Sequence, residues 1–269
     1  GLDLDLITPK TTYFDAGITF VHGESIRNWE SRSYGLSTMT EVLQHSINTG
    51  SVFIVERIGA EQFYKYLNKF RLGHATGIDL PNEAIGIIPT LNDANWSPVD
   101  LATQSFGQSI GITPIQLISA FAATINGGHL IQPHLLMSSF SNTTENSSFY
   151  QAQDNQVISV ETSNSIREML STVVNTNVWH PARPKYYSSG GKSGTANIPK
   201  DGGYSDEQIV SFISFAPLND PQIIVLVKID QNKDNLTGTE AAGPVVARLI
   251  DKTLLLLNIP PTAEYVGAR

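Results

Sequence analysis

Apolar side chains recur at helical spacing in seven segments of the chain. The first segment begins at Thr38, because Glu41 follows three residues later and the two form a capping box. We expect this helix to stop around Ser46–Gly50, where polar residues and a glycine interrupt the pattern. The other helices are predicted at residues 52–59, 63–72, 99–106, 113–126, 162–174 and 243–254.

Two runs, 209–215 and 223–227, are rich in β-branched and aromatic residues instead. Turn-forming residues at 217–221 separate them, which predicts a buried antiparallel hairpin. Shorter strands are predicted at 11–14 and 18–21. Helices combined with an antiparallel hairpin are typical of an α+β fold in which helices cover a sheet.

The stretch Ser188–Ala196, upstream of this hairpin, concentrates a lysine, several hydroxyls and three glycines. Glycines let a backbone approach a ligand closely, and a lysine beside hydroxyls offers it a charge and hydrogen bonds. We therefore expect a strand edge there that holds an anionic substrate.

The composition excludes several classes of protein. The chain has 269 residues, a net charge of −8 and no cysteine. An acidic balance without a basic run argues against nucleic-acid binding, and the missing cysteine excludes disulfides and thiolate chemistry. The apolar run Leu254–Leu257 is too short to span a membrane. We treat residues 1–269 as one domain, long enough for a substantial core.

Gly191, Lys192 and Ser193 match the end of a phosphate-binding loop, but the match is incomplete. Tyr186 stands where that loop requires a glycine, and Pro199 prevents the helix that must follow the lysine. The sequence therefore disfavours nucleotide binding.

Residues Gly107–Gly111 match the nucleophile elbow of serine hydrolases, with Ser109 as the nucleophile. An elbow needs a buried strand before the serine, whereas residues 99–106 are predicted to be helical. Of the histidines that follow, His129, His134 and His180, none has a supporting context.

The six histidines of the chain show no paired spacing, so we expect no metal site and no cofactor. The polar tract 138–148 is predicted to be an exposed loop. Its two formal glycosylation sequons, at Asn142 and Asn146, are attributed to chance.

Two distant pieces remain, Ser46-x-Asn48 and Lys192–Thr195, and each is a weak signal alone. In this order, one at a helix terminus and one on a strand, they match two of the three motifs of β-lactamases and penicillin-binding proteins. On these motifs and on further stretches, the chain resembles the C-terminal part of the transpeptidase domain of a class B penicillin-binding protein, with the penicilloyl serine transferase fold. The further stretches are Ile26–Trp29, Leu36–Asn48, Gly77–Pro81, Gly107–Gln116 and Gly238–Val246.

The resemblance implies a peptidoglycan D,D-transpeptidase, which acts on stem peptides ending in D-Ala-D-Ala and binds β-lactam antibiotics. Lys192, Ser193 and Thr195 would bind the terminal carboxylate of the substrate. The Thr195 backbone N–H would supply half of an oxyanion hole, and Gly194 would keep the strand edge open. Ser46 would relay a proton to the leaving amine. Asn48 would bind the substrate amide and orient Lys192.

The family's first motif, Ser-x-x-Lys, supplies the nucleophile and its base. Its only literal match here is Ser189–Lys192, which we reject because Gly190 and Gly191 oppose the helix that it needs. We therefore expect residues 1–269 to be the C-terminal portion of the domain, inactive without an upstream part that carries the nucleophile. The strand at 223–227 would then have an unpaired edge.

By the same resemblance, the parent protein would act outside the cytoplasmic membrane, held by an N-terminal membrane helix, with division or elongation proteins as further partners. Two other functions stay open. One is a noncatalytic module that binds stem peptides or partner proteins. The other is an esterase that uses Ser109.

Overall fold

The computed structural model describes residues 1–136, 155–176, 178–200, 203–232 and 236–262. The tract 138–148, with its two sequons, lies outside these residues. The described chain forms seven strands and eight α-helices. The strands are β1 Thr12–Asp15, β2 Ile18–Val21, β3 Glu24–Arg27, β4 Gly35–Thr38, β5 Gly190–Lys200, β6 Gly203–Ala216 and β7 Ile223–Asn232. The helices are α1 Met39–His45, α2 Asn48–Ile58, α3 Ala60–Lys69, α4 Pro98–Gln104, α5 Pro114–Ile125, α6 Val160–Asn175, α7 Gly238–Ala241 and α8 Gly243–Leu256.

The chain divides into two compact units, and the assignment of residues 1–269 to one domain stays a prediction. One unit comprises Gly1–Leu6, Val21–Glu24 and Val52–Asn164, and it is mainly helical. Ala123, Leu130 and Val157 form a buried cluster there, with Phe70 packed against it. The other unit comprises Ile7–Phe20, Ser25–Ser51 and Ser165–Arg269, and it contains the three-stranded sheet and both predicted site motifs.

Two helix starts that were predicted from capping residues, at Thr38 and Thr113, are confirmed. The Thr38 hydroxyl accepts a hydrogen bond from the Glu41 backbone N–H, and the Glu41 carboxylate accepts one from the Thr38 N–H. Thr113 and Gln116 make the same reciprocal pair at the start of α5, whose first residue is a proline. Such caps satisfy N–H groups that have no partner within the helix, and they are local enough to predict from sequence.

The predicted hairpin is confirmed as two strands of an antiparallel sheet in the order β5-β6-β7. Lys192 lies opposite Ile213 and Gly194 lies opposite Ser211. Helix α8 and the C-terminal part of α6 cover the sheet, as an α+β fold requires. The core that joins them includes Val174, Phe212, Val246, Ile250 and Leu254, all fully buried.

In the described part of the chain, β7 pairs only with β6, so it forms an edge of this sheet. The strands extend beyond the predicted apolar runs, because β6 begins at Gly203 and β5 continues to Lys200. Pairing with β5 continues along polar residues that carry no hydrophobic signal, and it shifts register between Asn197 and Pro199.

Two strands, β3 and β4, were not predicted. Strand β4 pairs antiparallel with β1, and Phe14 lies opposite Leu36 with 72% of each residue exposed. Strands this short have too few positions to show a clear alternation, so their pairing depends on the surrounding fold.

The predicted end of the first helix near Ser46 is confirmed, but the predicted start of the second helix at residue 52 is wrong. Helix α1 ends at His45, and the residues from Asn48 onward already belong to α2. Ser46 adopts a left-handed conformation with φ of 54°, which turns the chain between the two helices within a few residues. A single left-handed residue can end one helix while the next begins almost at once.

Candidate active site

Ser46 lies at the junction of α1 and α2 and is exposed. Its backbone N–H donates to the Leu43 carbonyl at 3.4 Å, and the Ile47 N–H donates to the Val42 carbonyl at 3.0 Å. These two bonds close the last turn of α1 around the left-handed residue. The Ser46 hydroxyl is thereby held at the end of a rigid turn.

Strand β5 brings Lys192 to this hydroxyl, although 146 residues separate the two in sequence. The Lys192 ammonium group donates to Ser46 Oγ and to the Ser193 carbonyl, the latter at 3.0 Å, and lies 3.5 Å from Ser193 Oγ. Burial lowers the pKa of Lys192 from 10.5 to about 8. A half-buried ammonium among hydroxyls is suited to hold an anion.

Gly194 and Thr195 follow on the same strand, and Thr195 is exposed. Among the residues that the structure describes, no strand pairs with the other edge of β5. Alternate residues of an antiparallel strand turn their N–H and C=O groups away from their partner. This edge therefore presents unused backbone donors beside Lys192, while the assignment of an oxyanion donor to Thr195 stays a prediction.

A glycine at 194 also avoids a close contact across the sheet, while its expected role in keeping the strand edge open stays a prediction. A Cβ on Gly194 would lie 2.8 Å from Ser211 Oγ on β6, because side chains stand perpendicular to a sheet and do not point along its edge. Gly238 at the start of α7 is tighter still, since its Cβ would lie 2.1 Å from the Ser211 carbonyl oxygen and 2.7 Å from the Gly194 oxygen. Gly238 lets α7 pack directly on β5 and β6.

Asn48 opens α2, two residues after Ser46, and is half-buried. Its side-chain amide donates to the Arg27 carbonyl at 2.9 Å. In the structure, Ser46 contacts the Lys192 ammonium, whereas the Asn48 side chain is hydrogen-bonded to the last residue of β3.

Sequence reasoning missed a buried polar cluster behind Ser46–Asn48. Asp15 is fully buried, and its carboxylate accepts hydrogen bonds from the Thr49 hydroxyl at 2.6 Å and from the Asn28 amide at 2.9 and 3.0 Å. Burial acts to raise the pKa of Asp15, but the bonds from Thr49 and three further donors outweigh it and lower the pKa. The cluster residues Asn28 and Thr49 are among the least exposed polar groups, at 5% and 4%.

This geometry agrees with what comparison with known proteins shows. The family model for the penicillin binding protein transpeptidase domain matches residues 1–251. The chain belongs to this family. The resemblance drawn from Ser46-x-Asn48 and Lys192–Thr195 is thus confirmed at the level of the family.

Curated relatives of this transpeptidase family are similar over most of the chain. Stage V sporulation protein D of Bacillus subtilis is 39% identical over 261 residues, which is 96% of this chain and 40% of the relative. A peptidoglycan D,D-transpeptidase FtsI homolog of Mesostigma viride is 29% identical over 244 residues, again 40% of that protein. The chain thus spans about 40% of the length of these relatives.

Solved transpeptidase structures confirm the fold. The transpeptidase domain of Burkholderia pseudomallei penicillin-binding protein 3 has a TM-score of 0.82 and 29% identity, covering 97% of this chain and 76% of the other. Penicillin-binding protein 3 of Mycobacterium tuberculosis, solved in complex with aztreonam, has a TM-score of 0.85 and 25% identity over 98% of this chain and 61% of the other.

The competing nucleophiles find little support in the geometry of this transpeptidase-family chain. Ser109 follows helix α4 instead of a strand, and its hydroxyl lies 3.0 Å from the Thr103 hydroxyl. Ser189, in the rejected Ser-x-x-Lys match, is fully buried, and its hydroxyl has no hydrogen-bond partner among the described residues. Gly191-Lys192-Ser193 lies on strand β5, so it cannot open the helix that a phosphate loop needs.

The described residues contain no group of three or more metal-binding side chains. Within the same residues, no helix is both long and apolar enough to cross a membrane. The expected absence of a metal or cofactor stays a prediction.

Proposed function

We propose that this chain forms the substrate-binding part of a serine D,D-transpeptidase that cross-links the stem peptides of peptidoglycan. The observation that carries the proposal is the contact between the Lys192 ammonium and Ser46 Oγ, next to the open edge of β5. It joins the two motifs that the sequence keeps 146 residues apart. Relatives named D,D-transpeptidases support the substrate class.

The geometry suits a substrate that ends in a carboxylate. Lys192 supplies the positive charge, and Ser193 and Thr195 supply hydroxyls on the same strand. Charge-assisted bonds of this kind are stronger than neutral ones, so the D-alanine terminus would be fixed at this point of β5. The backbone of the peptide can then pair with the open strand edge, as extended peptides do on exposed edges.

In the proposed reaction, a serine hydroxyl attacks the carbonyl carbon between the two terminal D-alanines. Its proton passes to the leaving D-alanine amine with Ser46 in the relay, and an ester to the enzyme remains. The amine of a second stem peptide attacks this ester, forms the cross-link and releases the serine. We propose that the attacking serine belongs to a Ser-x-x-Lys motif outside residues 1–269.

The proposed location of the protein follows from its proposed substrate. Peptidoglycan lies outside the cytoplasmic membrane, so we propose extracytoplasmic action by a membrane-anchored parent, alongside division or elongation proteins. β-Lactams mimic the D-alanyl terminus in this scheme, and one relative has been solved with aztreonam bound.

Labelling with a fluorescent penicillin tests the proposal. We expect the complete gene product to be labelled covalently, with ampicillin competing, and residues 1–269 alone to stay unlabelled. A folded complete protein that takes no label would overturn the transpeptidase function and favour a noncatalytic module. Label on the isolated chain would instead place the nucleophile within it. Ser109→Ala should keep the label, and a fluorophosphonate mark on Ser109 would favour the esterase.

A further inference from the structure

The buried cluster behind Ser46–Asn48 is built so that every polar group in it faces a partner. The Asp15 carboxylate only accepts, so the Thr49 hydroxyl, 2.6 Å away, donates to it. The Tyr13 hydroxyl lies 3.1 Å from Thr49 Oγ1 and can donate to the lone pair that is left. The backbone N–H groups of Gly17 and Tyr34 donate to the same carboxylate at 3.0 and 2.8 Å.

Asp15 also fixes the orientation of Asn28. The Asn28 amide nitrogen donates to both carboxylate oxygens and to the Arg32 carbonyl. Its amide oxygen is thereby turned the other way, where it accepts from the Thr49 backbone N–H at 3.1 Å. That N–H lies in the first turn of α2, where backbone N–H groups have no acceptor within the helix. Asn28 thus caps α2 from outside the helix.

The neighbouring residue of the same segment holds Asn48. The Arg27 carbonyl accepts from the Asn48 side chain at 2.9 Å. Arg27 binds Asn48, and the next residue, Asn28, binds Thr49. Asp15 in turn accepts hydrogen bonds from both Asn28 and Thr49. Gly50 completes the fit, because a Cβ there would lie 2.6 Å from the Val42 side chain and 3.0 Å from the Tyr13 hydroxyl.

We infer that Asp15, through Asn28 and Thr49, is a positioning residue that fixes the left-handed turn at Ser46 and so aligns Ser46 with Lys192. This rests on the proposed transpeptidase function. Asp15 does not reach the substrate side of the site; it acts through the start of α2. A buried carboxylate is costly to disturb, since loss of one donor leaves part of a buried charge without a hydrogen bond.

The test uses the complete gene product and compares Thr49→Val, which removes the hydroxyl that contacts Asp15, Tyr13 and Asn28, with Thr49→Ser, which keeps that hydroxyl. Asp15→Asn is the third variant. The control is Val174→Ala, a fully buried core change in the same unit that touches no site residue. Acylation by a fluorescent penicillin is measured over a range of concentrations, so that the limiting rate per active molecule separates from binding.

We expect Thr49→Val to lower the limiting acylation rate about 10- to 100-fold, because misplacement of a reacting group by about 1 Å can cost 10²-fold. Thr49→Ser should retain most of the rate. Destabilisation alone reduces the number of active molecules but leaves the rate of each unchanged, so Val174→Ala should acylate at the wild-type rate. A wild-type limiting rate in Thr49→Val would overturn the inference, even if Asp15→Asn fails to fold.

A second readout separates this inference from the proposed function. The ¹³C chemical shift of the Lys192 side chain, measured on ¹³C-labelled lysine, reports the surroundings of its ammonium group, which contacts Ser46 Oγ, without any substrate. We expect this chemical shift to change in Thr49→Val and to stay in place in Val174→Ala. If the wild-type protein takes no penicillin, the proposed function fails, and an unshifted Lys192 in Thr49→Val would then still overturn the positioning role.

Discussion

The two walls of the candidate site are built in different ways. The Lys192 wall is a strand, held by backbone pairing with β6 and by the close packing of Gly238 on Gly194. The Ser46 wall is a turn between two helices, and it is held by side chains: Asp15, Asn28 and Thr49. One wall depends on the absence of side chains and the other on their hydrogen bonds.

This difference shows where each wall is sensitive. A strand in a sheet tolerates changes of side chain that point to solvent, but any added atom between β5 and α7 must displace backbone. The turn is held by hydrogen bonds instead, so removal of the Thr49 hydroxyl from the cluster is expected to shift it. Substitutions in one wall can therefore be tested separately from substitutions in the other.

The largest effect is expected for Lys192→Met, which keeps the length of the side chain and removes its charge. Hydrogen bonds to charged groups contribute about 1.5–3 kcal/mol, so acylation of the complete protein should slow about 10- to 100-fold. Lys228→Met, which removes a charge from β7 of the same sheet, should acylate normally. Equal second-order rate constants for the two variants would contradict the role of Lys192 as the anion-binding group.

Gly238→Ala should destabilise the strand wall by about 1–3 kcal/mol, the usual cost of overpacking. Its Cβ would lie 2.1 Å from the Ser211 carbonyl oxygen, a backbone atom that cannot move aside easily. Urea unfolding measures the loss. The matched control is Gly111→Ala, whose Cβ would meet nothing nearer than 3.8 Å. If the two variants unfold at the same urea concentration, the packing of α7 on the sheet does not hold this wall.

The pH dependence of the Lys192 wall follows from its pKa of about 8, lowered from 10.5 by burial. Binding of a carboxylate needs the ammonium form, so affinity for a stem peptide should fall about tenfold per pH unit above this value. Folding stability should change in the opposite direction. Between the two pKa values the unfolded chain binds more protons, so this lysine makes stability rise with pH. Binding that is flat from pH 7 to 10 would show that Lys192 keeps an ordinary pKa.

The smallest effect is expected for Tyr13→Phe, which removes the outermost hydroxyl of the cluster behind the turn. Loss of one hydrogen bond should cost about 0.5–1.5 kcal/mol of stability and slow acylation by a few-fold. Tyr64→Phe is the matched control, since the Tyr64 hydroxyl bonds to Gln104 and Trp96 in the other unit. The control should be destabilised similarly with normal acylation. Equal acylation rates in both variants would limit the cluster to Asp15, Asn28 and Thr49.

The strand wall could be predicted from sequence because its signals are local. A run of β-branched residues, a turn and a glycine-rich stretch ending in Lys192-Ser193 lie close together in the chain. The start of α1 at Thr38 was predicted for the same reason, because a capping box involves residues three apart.

The turn wall could not be predicted in the same way. Thr49 reaches Asp15 across 34 residues and Asn28 across 21, and no local pattern marks such contacts. The start of α2 was placed at residue 52 because Asn48 and Thr49 resemble residues that end a helix. Instead, the Asn48 side chain donates to the Arg27 carbonyl and the Thr49 backbone N–H donates to the Asn28 side chain, so the helix begins earlier. The stretch Ile26–Trp29 was noted only as part of the family resemblance, and the sequence indicated no role for Asn28.

The left-handed backbone at Ser46 also limits which residues can replace this serine during evolution. Threonine would keep the hydroxyl, but a β-branched residue with φ of 54° is a strained exception. Glycine or asparagine would accept the backbone, but neither supplies a hydroxyl to the Lys192 ammonium. Serine is thus the one common side chain that meets both demands. An exchange for threonine, conservative by chemistry and reachable by a single base change, is therefore expected to be selected against at this codon.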